Sequence, residues 1–170
     1  MAASVQPKYP TQEHKNRNNL NLLQEKSEEF LLVVFHQHYP RNENDLYKAL
    51  SSPREKGILE KLKKKKVLKD DQYNLIYPST KKTDSTKFDV TLTFLLIRSL
   101  CGYKEPATGW DNEPVLTDSS VIADCIRLKL ARNKINHGPT QVSTPEYKAL
   151  YNRIKAPLVS LSKIPLIASL

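Results

Sequence analysis

The chain has 170 residues, of which 39% are hydrophobic and 26% are charged, and its formal net charge is +9. This length predicts one domain with a substantial core, and the composition excludes a wholly disordered chain. The longest nearly apolar run, 88–101, falls short of the ~20 residues that a membrane span needs, so we expect no membrane partner. The positive charge favours a polyanionic partner such as nucleic acid, although basicity for solubility alone explains it equally well.

The N-terminal segment 1–19 is polar and contains two prolines, which predicts a flexible leader. It lacks the apolar stretch of a secretory signal, so we expect a cytoplasmic protein. From Leu20 onward, apolar residues recur at nearly helical spacing until Pro40. This pattern predicts a first helix over about 19–38.

Residues 43–51 and 53–66 are predicted to form short helices, the second with Ser51 or Ser52 as its N-cap and Pro53 in its first turn. A further short helix is expected to end before Pro78. The predicted N-terminal helices thus span 20–78. The end of the predicted helix 53–66 carries a basic patch, Lys63, Lys64, Lys65 and Lys66. This patch either binds RNA phosphates or is an ordinary solvated face.

The polar segment 79–87 is predicted to be a linker that divides the chain into two lobes. The apolar run 88–101 is too long for an ordinary strand, so it predicts a buried helix with Gly102 as its C-terminal cap. The loop 102–117 contains Trp110, which either fills the core or stacks on a base.

Two more helices are predicted in the C-terminal part of the chain. One begins near Ser119, with Thr117 or Asp118 as its cap, and runs towards Ile135. The other runs from Thr144 or Pro145 to Leu161, with a bend expected at Pro157, and a tail follows over 162–170.

The two cysteines, Cys101 and Cys125, lie in apolar helical runs and are expected to be core thiols in a reducing compartment. The histidines are scattered, and neither cysteine has a second one nearby. We therefore expect no structural metal and no cofactor.

The segment from Arg132 to His137 is the best candidate for chemistry. Arg132 lies near a predicted helix end and His137 precedes Gly138, so a modest unwinding would bring both side chains to one side. An arginine fork for phosphate oxygens and an imidazole that titrates near neutrality suit phosphodiester cleavage, for which RNA supplies its own 2′-hydroxyl. The alternative is structural, because cations favour the C-terminal end of any helix.

Several separated motifs agree in order and spacing with one known family, and the similarity covers roughly Leu46 to Leu161. The residues that carry the similarity are Phe88-Asp89-Val90-Thr91-Leu92, Leu100-Cys101-Gly102, Pro106-Ala107-Thr108-Gly109-Trp110-Asp111, Asp118, Ala123-Asp124, Arg132-Asn133 and His137. On these motifs the sequence resembles the HEPN domain of the type found in the DAZ-interacting zinc-finger ubiquitin ligase.

The resemblance implies an all-α, HEPN-like helical bundle with its core helices in 88–161 and a small helical segment before them. It also implies a homodimer in which Arg132 and His137 of two chains form a metal-independent endoribonuclease site that leaves 2′,3′-cyclic phosphate ends. Asn133 matches the polar residue that usually follows the arginine. Asn136 stands where many members of this branch have glycine, and it is expected to alter how His137 is presented.

Two questions stay open at this point. Asp124 is an auxiliary candidate that either faces the cleft or, the favoured alternative, pairs with Arg127 or Lys129 at the surface. The chain as a whole is either a nuclease acting on single-stranded RNA or a non-catalytic RNA- or protein-binding module. In the second case it would belong to a larger protein of an innate-immune or ubiquitin-ligase-like kind.

Overall fold

The computed structural model describes residues 9–40 and 43–163, and this part of the chain contains seven α-helices, one short 3-10 helix and no strand. The predicted all-α fold class is therefore confirmed. The α-helices are α1 Gln12–His36, α2 Glu43–Leu50, α3 Pro53–Lys64, α4 Asp70–Ile76, α5 Val90–Leu100, α6 Val121–Asn136 and α7 Thr144–Ser162.

Four of these helices, α1, α5, α6 and α7, pack against one another as a bundle. The short helices α2, α3 and α4 form a smaller group that packs on α5 through α3. Helix α5 is buried along most of its length, as its apolar sequence predicts. The fully buried side chains at the centre of the core include Leu20, Leu31, Phe35, Leu92, Leu96 and Ile126.

Local signals set both ends of α5. The carboxylate of Asp89 accepts a hydrogen bond from the backbone N–H of Leu92 at 2.7 Å, which satisfies one of the free donors of the first turn. Gly102 follows the helix with a φ of +77°, a conformation that glycine adopts without strain. The predicted helix and its glycine cap are both confirmed.

The predicted flexible leader over 1–19 is wrong for its second half, because α1 begins at Gln12. Thr11 caps this helix by accepting from the backbone N–H of His14. Asn16 is 1% exposed, and its amide donates to the carbonyl oxygen of Val142 at 3.0 Å. A polar residue is thus buried because a distant partner satisfies it. Residues 1–8 lie outside the described part of the chain.

The segment 79–87 does not separate two lobes, because α1 packs against α5, α6 and α7, which all follow that segment. The segment is itself partly buried. Thr83 is fully buried and its hydroxyl donates to the carbonyl oxygen of Ile76 at 2.7 Å. The 3-10 helix Ser85–Lys87, which Asp84 caps, then leads into α5.

The ends of the other helices lie within a few residues of their predicted positions. Helix α3 starts at Pro53 after Ser52, as predicted. The cap of α6 is Ser120 rather than Thr117 or Asp118, and Asp118 instead accepts from the backbone N–H of Ser120 at 3.0 Å. Pro157 is buried inside α7, and the bend expected there stays a prediction. Most of the predicted tail over 162–170 lies outside the described residues.

Within residues 9–40 and 43–163, no helix combines the length and the apolar character needed to cross a bilayer. The same residues contain no cluster of three or more His, Cys, Asp or Glu side chains arranged to hold a metal ion.

Candidate functional site

The candidate site lies at the C-terminal end of α6, where the helix turns towards α7. Arg132 and Asn133 lie within the helix, and His137 is its C-terminal cap, with a backbone N–H that donates to the carbonyl oxygen of Asn133 at 3.1 Å. Gly138 starts the turn, where a Cβ atom would approach the carbonyl oxygen of Lys134 to 3.0 Å. A side chain directly after His137 would therefore crowd the last turn of α6.

The side chain of Arg132 contacts Asn136, which in turn contacts Gln24 of α1. With the Asn136 amide turned so that its oxygen faces the guanidinium, this oxygen accepts from Nε and Nη2 of Arg132, both at 3.2 Å. The Asn136 amide nitrogen then donates to Oε1 of Gln24 at 3.0 Å. The Nη1 atom of Arg132 lies 3.5 Å from Oδ1 of Asn133. The guanidinium is thus half-buried and oriented by two neighbouring amides.

His137 is exposed and lines a different surface, an open groove of about 470 Å³ between α6, α7 and the loop before α6. Because residues four apart share a helix face, Arg132 lies with Asn136 and His137 lies with Asn133. The unwinding expected from the sequence does not occur, since α6 stays helical through Asn136. The residues that line this groove are Asp111, Asn112, Glu113, Leu130, Asn133, Lys134, His137 and Arg153.

Helix α1 holds the end of α6 in place. Nη1 of Arg17 donates to the carbonyl oxygen of Ile135 at 2.6 Å, so a cation joins the backbone N–H of Gly138 on a carbonyl group of the last turn. Neither Arg17 nor Gln24 was a candidate from the sequence. Arg17 and Ile135 are 118 residues apart, and no local signal predicts such a contact.

Ion pairs fix the loop that forms the opposite wall of the groove. Glu113 pairs with Nη2 of Arg153 at 2.5 Å, and Asp111 pairs with Nζ of Lys129 at 2.6 Å. The hydrogen bond from Lys129 lowers the pKa of the Asp111 carboxyl. Trp110, in the same loop, packs edge-on against the ring of Phe94 with centroids 6.2 Å apart. Of its two predicted roles, the structure supports that of a side chain packed on the core.

Asp124 lies in the first turn of α6, away from the Arg132–His137 end. Its carboxylate pairs with Nη1 of Arg127 at 2.8 Å, and the two side chains are only 6% and 13% exposed. The predicted pairing with Arg127 is observed, but Asp124 is buried and Arg127 is only partly exposed, so this is not a fully solvated surface pair. Arg127 also donates to the carbonyl oxygen of Val115 at 2.8 Å, so the pair anchors the loop before α6.

The basic patch occupies the end of α3 and the turn after it. Lys64, Lys65 and Lys66 are exposed. Lys63 is engaged, with Nζ 3.5 Å from Oδ1 of Asp70 and 4.2 Å from the ring centroid of Tyr73. Helix α3 packs on α2, α4 and α5, whereas the Arg132–His137 segment lies where α1, α6 and α7 meet. Patch and segment thus belong to different parts of the fold.

These features define a helical-bundle protein with an Arg-Asn-x3-His segment at the solvent-accessible end of one bundle helix. The chain matches the family described as DZIP3/hRUL138-like HEPN over residues 43–165, and it belongs to that family. It is also 40% identical over 57 residues to the E3 ubiquitin-protein ligase DZIP3 of Mus musculus. That similarity covers 33% of this chain and only 5% of the mouse protein. No solved structure matches the chain.

The family assignment confirms the resemblance found in the sequence. The matched region includes Arg132, Asn133, Asn136 and His137 but not α1, which ends at His36. The contacts that α1 makes with the end of α6 are therefore supplied by a part of the chain outside the matched region.

Proposed function

We propose that the chain is an RNA-binding HEPN module and a metal-independent endoribonuclease for single-stranded RNA, with a site completed by a second copy of the chain. The observation that carries the proposal is the placement of Arg132 and His137 at one accessible helix end, with the half-buried Asn133 between them. The proposed cellular location of the module is the cytoplasm. Any link to ubiquitin ligation or innate immunity belongs to a larger protein in which such a module takes part.

The proposed reaction needs no metal ion. The 2′-oxygen of one ribose attacks the adjacent phosphorus, a new P–O2′ bond forms, and the P–O5′ bond breaks. One His137 imidazole accepts the proton of the 2′-hydroxyl, and a second donates a proton to the leaving 5′-oxygen. Arg132 stabilises the negative charge that builds on the phosphorane oxygens. The products are a 2′,3′-cyclic phosphate and a 5′-hydroxyl.

A homodimer supplies what one chain lacks. In one chain, Arg132 contacts Asn136, the partner of Gln24 of α1, while His137 lines the groove beside α7. General acid–base cleavage uses one proton acceptor and one proton donor, and a single imidazole fills only one of these roles at a time. Pairing of two α6 ends would bring two arginines and two histidines around one phosphate.

The test is cleavage of a single-stranded RNA oligonucleotide in EDTA, with product ends identified by mass spectrometry. We expect cyclic phosphate ends from the wild type and none from His137→Ala or Arg132→Ala. Matched controls are His38→Ala and Arg54→Ala, which remove an exposed imidazole and an exposed guanidinium elsewhere. Undiminished cleavage by His137→Ala would refute the proposal, and so would full activity from a strictly monomeric protein in light scattering.

A second candidate is a non-catalytic module that binds RNA or a protein through the same surfaces. The observation that favours it is the Asn136 amide, which occupies the Nε and Nη2 edge of the Arg132 guanidinium. It predicts salt-sensitive RNA binding without a cyclic phosphate product. Replacing Lys64, Lys65 and Lys66 by glutamine should then weaken binding. The slope of log affinity against log salt concentration should also become shallower, by about one for each phosphate that a lysine neutralises.

A further inference from the structure

Four side chains form one continuous line of hydrogen bonds from α6 to α1. The guanidinium of Arg132 donates through Nε and Nη2 to the amide oxygen of Asn136, at 3.2 Å for each. The Asn136 nitrogen donates to Oε1 of Gln24 at 3.0 Å, and Nε2 of Gln24 donates to Oε1 of Glu28 at 3.4 Å. A cation thus stands at one end of the line and a carboxylate at the other.

Every bond in this line runs in the same direction. The Asn136 amide turns its oxygen towards Arg132 and its nitrogen towards Gln24, where it lies 3.0 Å from Oε1 and 3.2 Å from Nε2. The reverse orientation of Asn136 would place its nitrogen against the guanidinium, donor against donor. Hydrogen bonds that point the same way polarise and strengthen one another, most of all between opposite charges. Arg132, Gln24 and Glu28 are half-buried, which limits competition from water at the two ends of the line, whereas Asn136 in its middle is exposed.

We infer that Asn136, Gln24 and Glu28 are positioning residues for Arg132. They fix the plane of its guanidinium by holding the Nε and Nη2 edge, and Nη1, which donates one N–H to Oδ1 of Asn133 at 3.5 Å, keeps its second N–H for a phosphate oxygen. The inference rests on the proposed function only for the role of Arg132 in RNA cleavage. It gives α1, which lies outside the matched region of the family, a direct part in the site.

The first measurement is independent of activity. In the nitrogen-15 spectrum of the full chain, the Nε–H signal of Arg132, assigned by its loss in Arg132→Lys, should exchange slowly with solvent. We expect exchange to become about 10-fold faster in Asn136→Ala, the factor that corresponds to loss of one hydrogen bond, and less so in Gln24→Ala. The control is Asn21→Ala, an exposed amide on the same helix as Gln24.

The second measurement separates positioning from mere support of the fold. Asn136→Ala and Gln24→Ala should lower kcat of RNA cleavage by about 5- to 10-fold with little change in KM, because an oriented guanidinium matters most in the transition state. Asn136 is exposed, so its variant should keep the wild-type circular dichroism spectrum.

The outcomes distinguish this inference from the proposed function. Fast exchange of the Arg132 Nε–H in the wild type, or unchanged exchange in Asn136→Ala, would overturn the inference. Loss of protection with an unchanged kcat would also overturn it. Slow exchange of the Arg132 Nε–H that depends on Asn136 and Gln24, in a wild-type protein that cleaves no RNA, would support the positioning of Arg132 by these residues while refuting the nuclease.

Discussion

Replacing Asp124 by alanine removes one side of the buried ion pair that joins α6 to the preceding loop. Arg127 would keep its hydrogen bond to the carbonyl oxygen of Val115, but its charge would lose the partner 2.8 Å away. Removing one member of a buried pair costs about 3–5 kcal/mol, and the 13% exposure of Arg127 favours the lower end of that range. With a total stability of ~5–15 kcal/mol, this is a large fraction.

The assay is urea unfolding followed by fluorescence of Trp110, the single tryptophan, which packs on Phe94 close to this loop. With a urea slope of about 2 kcal/mol per molar, a loss of about 3 kcal/mol moves the midpoint down by about 1.5 M. The variant Asp124→Leu with Arg127→Met should recover part of the loss, because an apolar pair carries no desolvation cost but also lacks the hydrogen bond from Arg127 to Val115. A midpoint shift below ~0.5 M in Asp124→Ala would contradict a buried, structural pair.

Three further variants test the surroundings of the site. Asn16→Ala leaves the carbonyl oxygen of Val142 unpaired and should reduce the free energy of unfolding by about 1–3 kcal/mol, measured in urea. Gly138→Ala brings its Cβ to within 3.0 Å of the carbonyl oxygen of Lys134, so the last turn of α6 has to shift by a few tenths of an ångström and RNA cleavage, measured in EDTA, should fall. Burial raises the pKa of the Cys101 thiol from 9.0 to about 12. The unfolded chain therefore loses this proton first, and the free energy of unfolding should fall between pH 9 and 12, less steeply in Cys101→Ala.

The features that could be predicted from the sequence are those that depend on neighbours in the chain. Asp89 and Gly102 mark the ends of α5 because a cap bonds within one turn and a left-handed glycine terminates the helix. The start of α1 was missed because its first turns contain few apolar residues. Their place in the bundle depends on Asn16 and Arg17, which bond to backbone groups more than 100 residues away.

In the candidate site, too, the residue types could be predicted from the sequence, whereas the directions of the side chains could not. The sequence identifies Arg132 and His137, because residue types at fixed spacing carry that signal, and the family match includes both. It does not predict that the two side chains leave α6 on different faces, since that depends on whether the last turn unwinds. The structure keeps this turn helical and brings Gln24 from α1 against Asn136, the partner of Arg132.

This separation has a direct consequence for mechanism. A phosphate bound to Arg132 of one chain would sit beside α1, whereas His137 of the same chain lines the groove next to Arg153. Proton transfer needs the imidazole within hydrogen-bond reach of the reacting oxygen. The imidazole that acts on this phosphate therefore has to come from a second chain, or the last turn of α6 has to rearrange when RNA binds. A mixed dimer decides between these routes: one chain with Arg132→Ala and one with His137→Ala still places one wild-type arginine and one wild-type histidine together across the interface, but it lacks the second imidazole of the proposed reaction. Cleavage by the mixed dimer that is weaker than that of the wild type, with neither variant active alone, would establish the composite site.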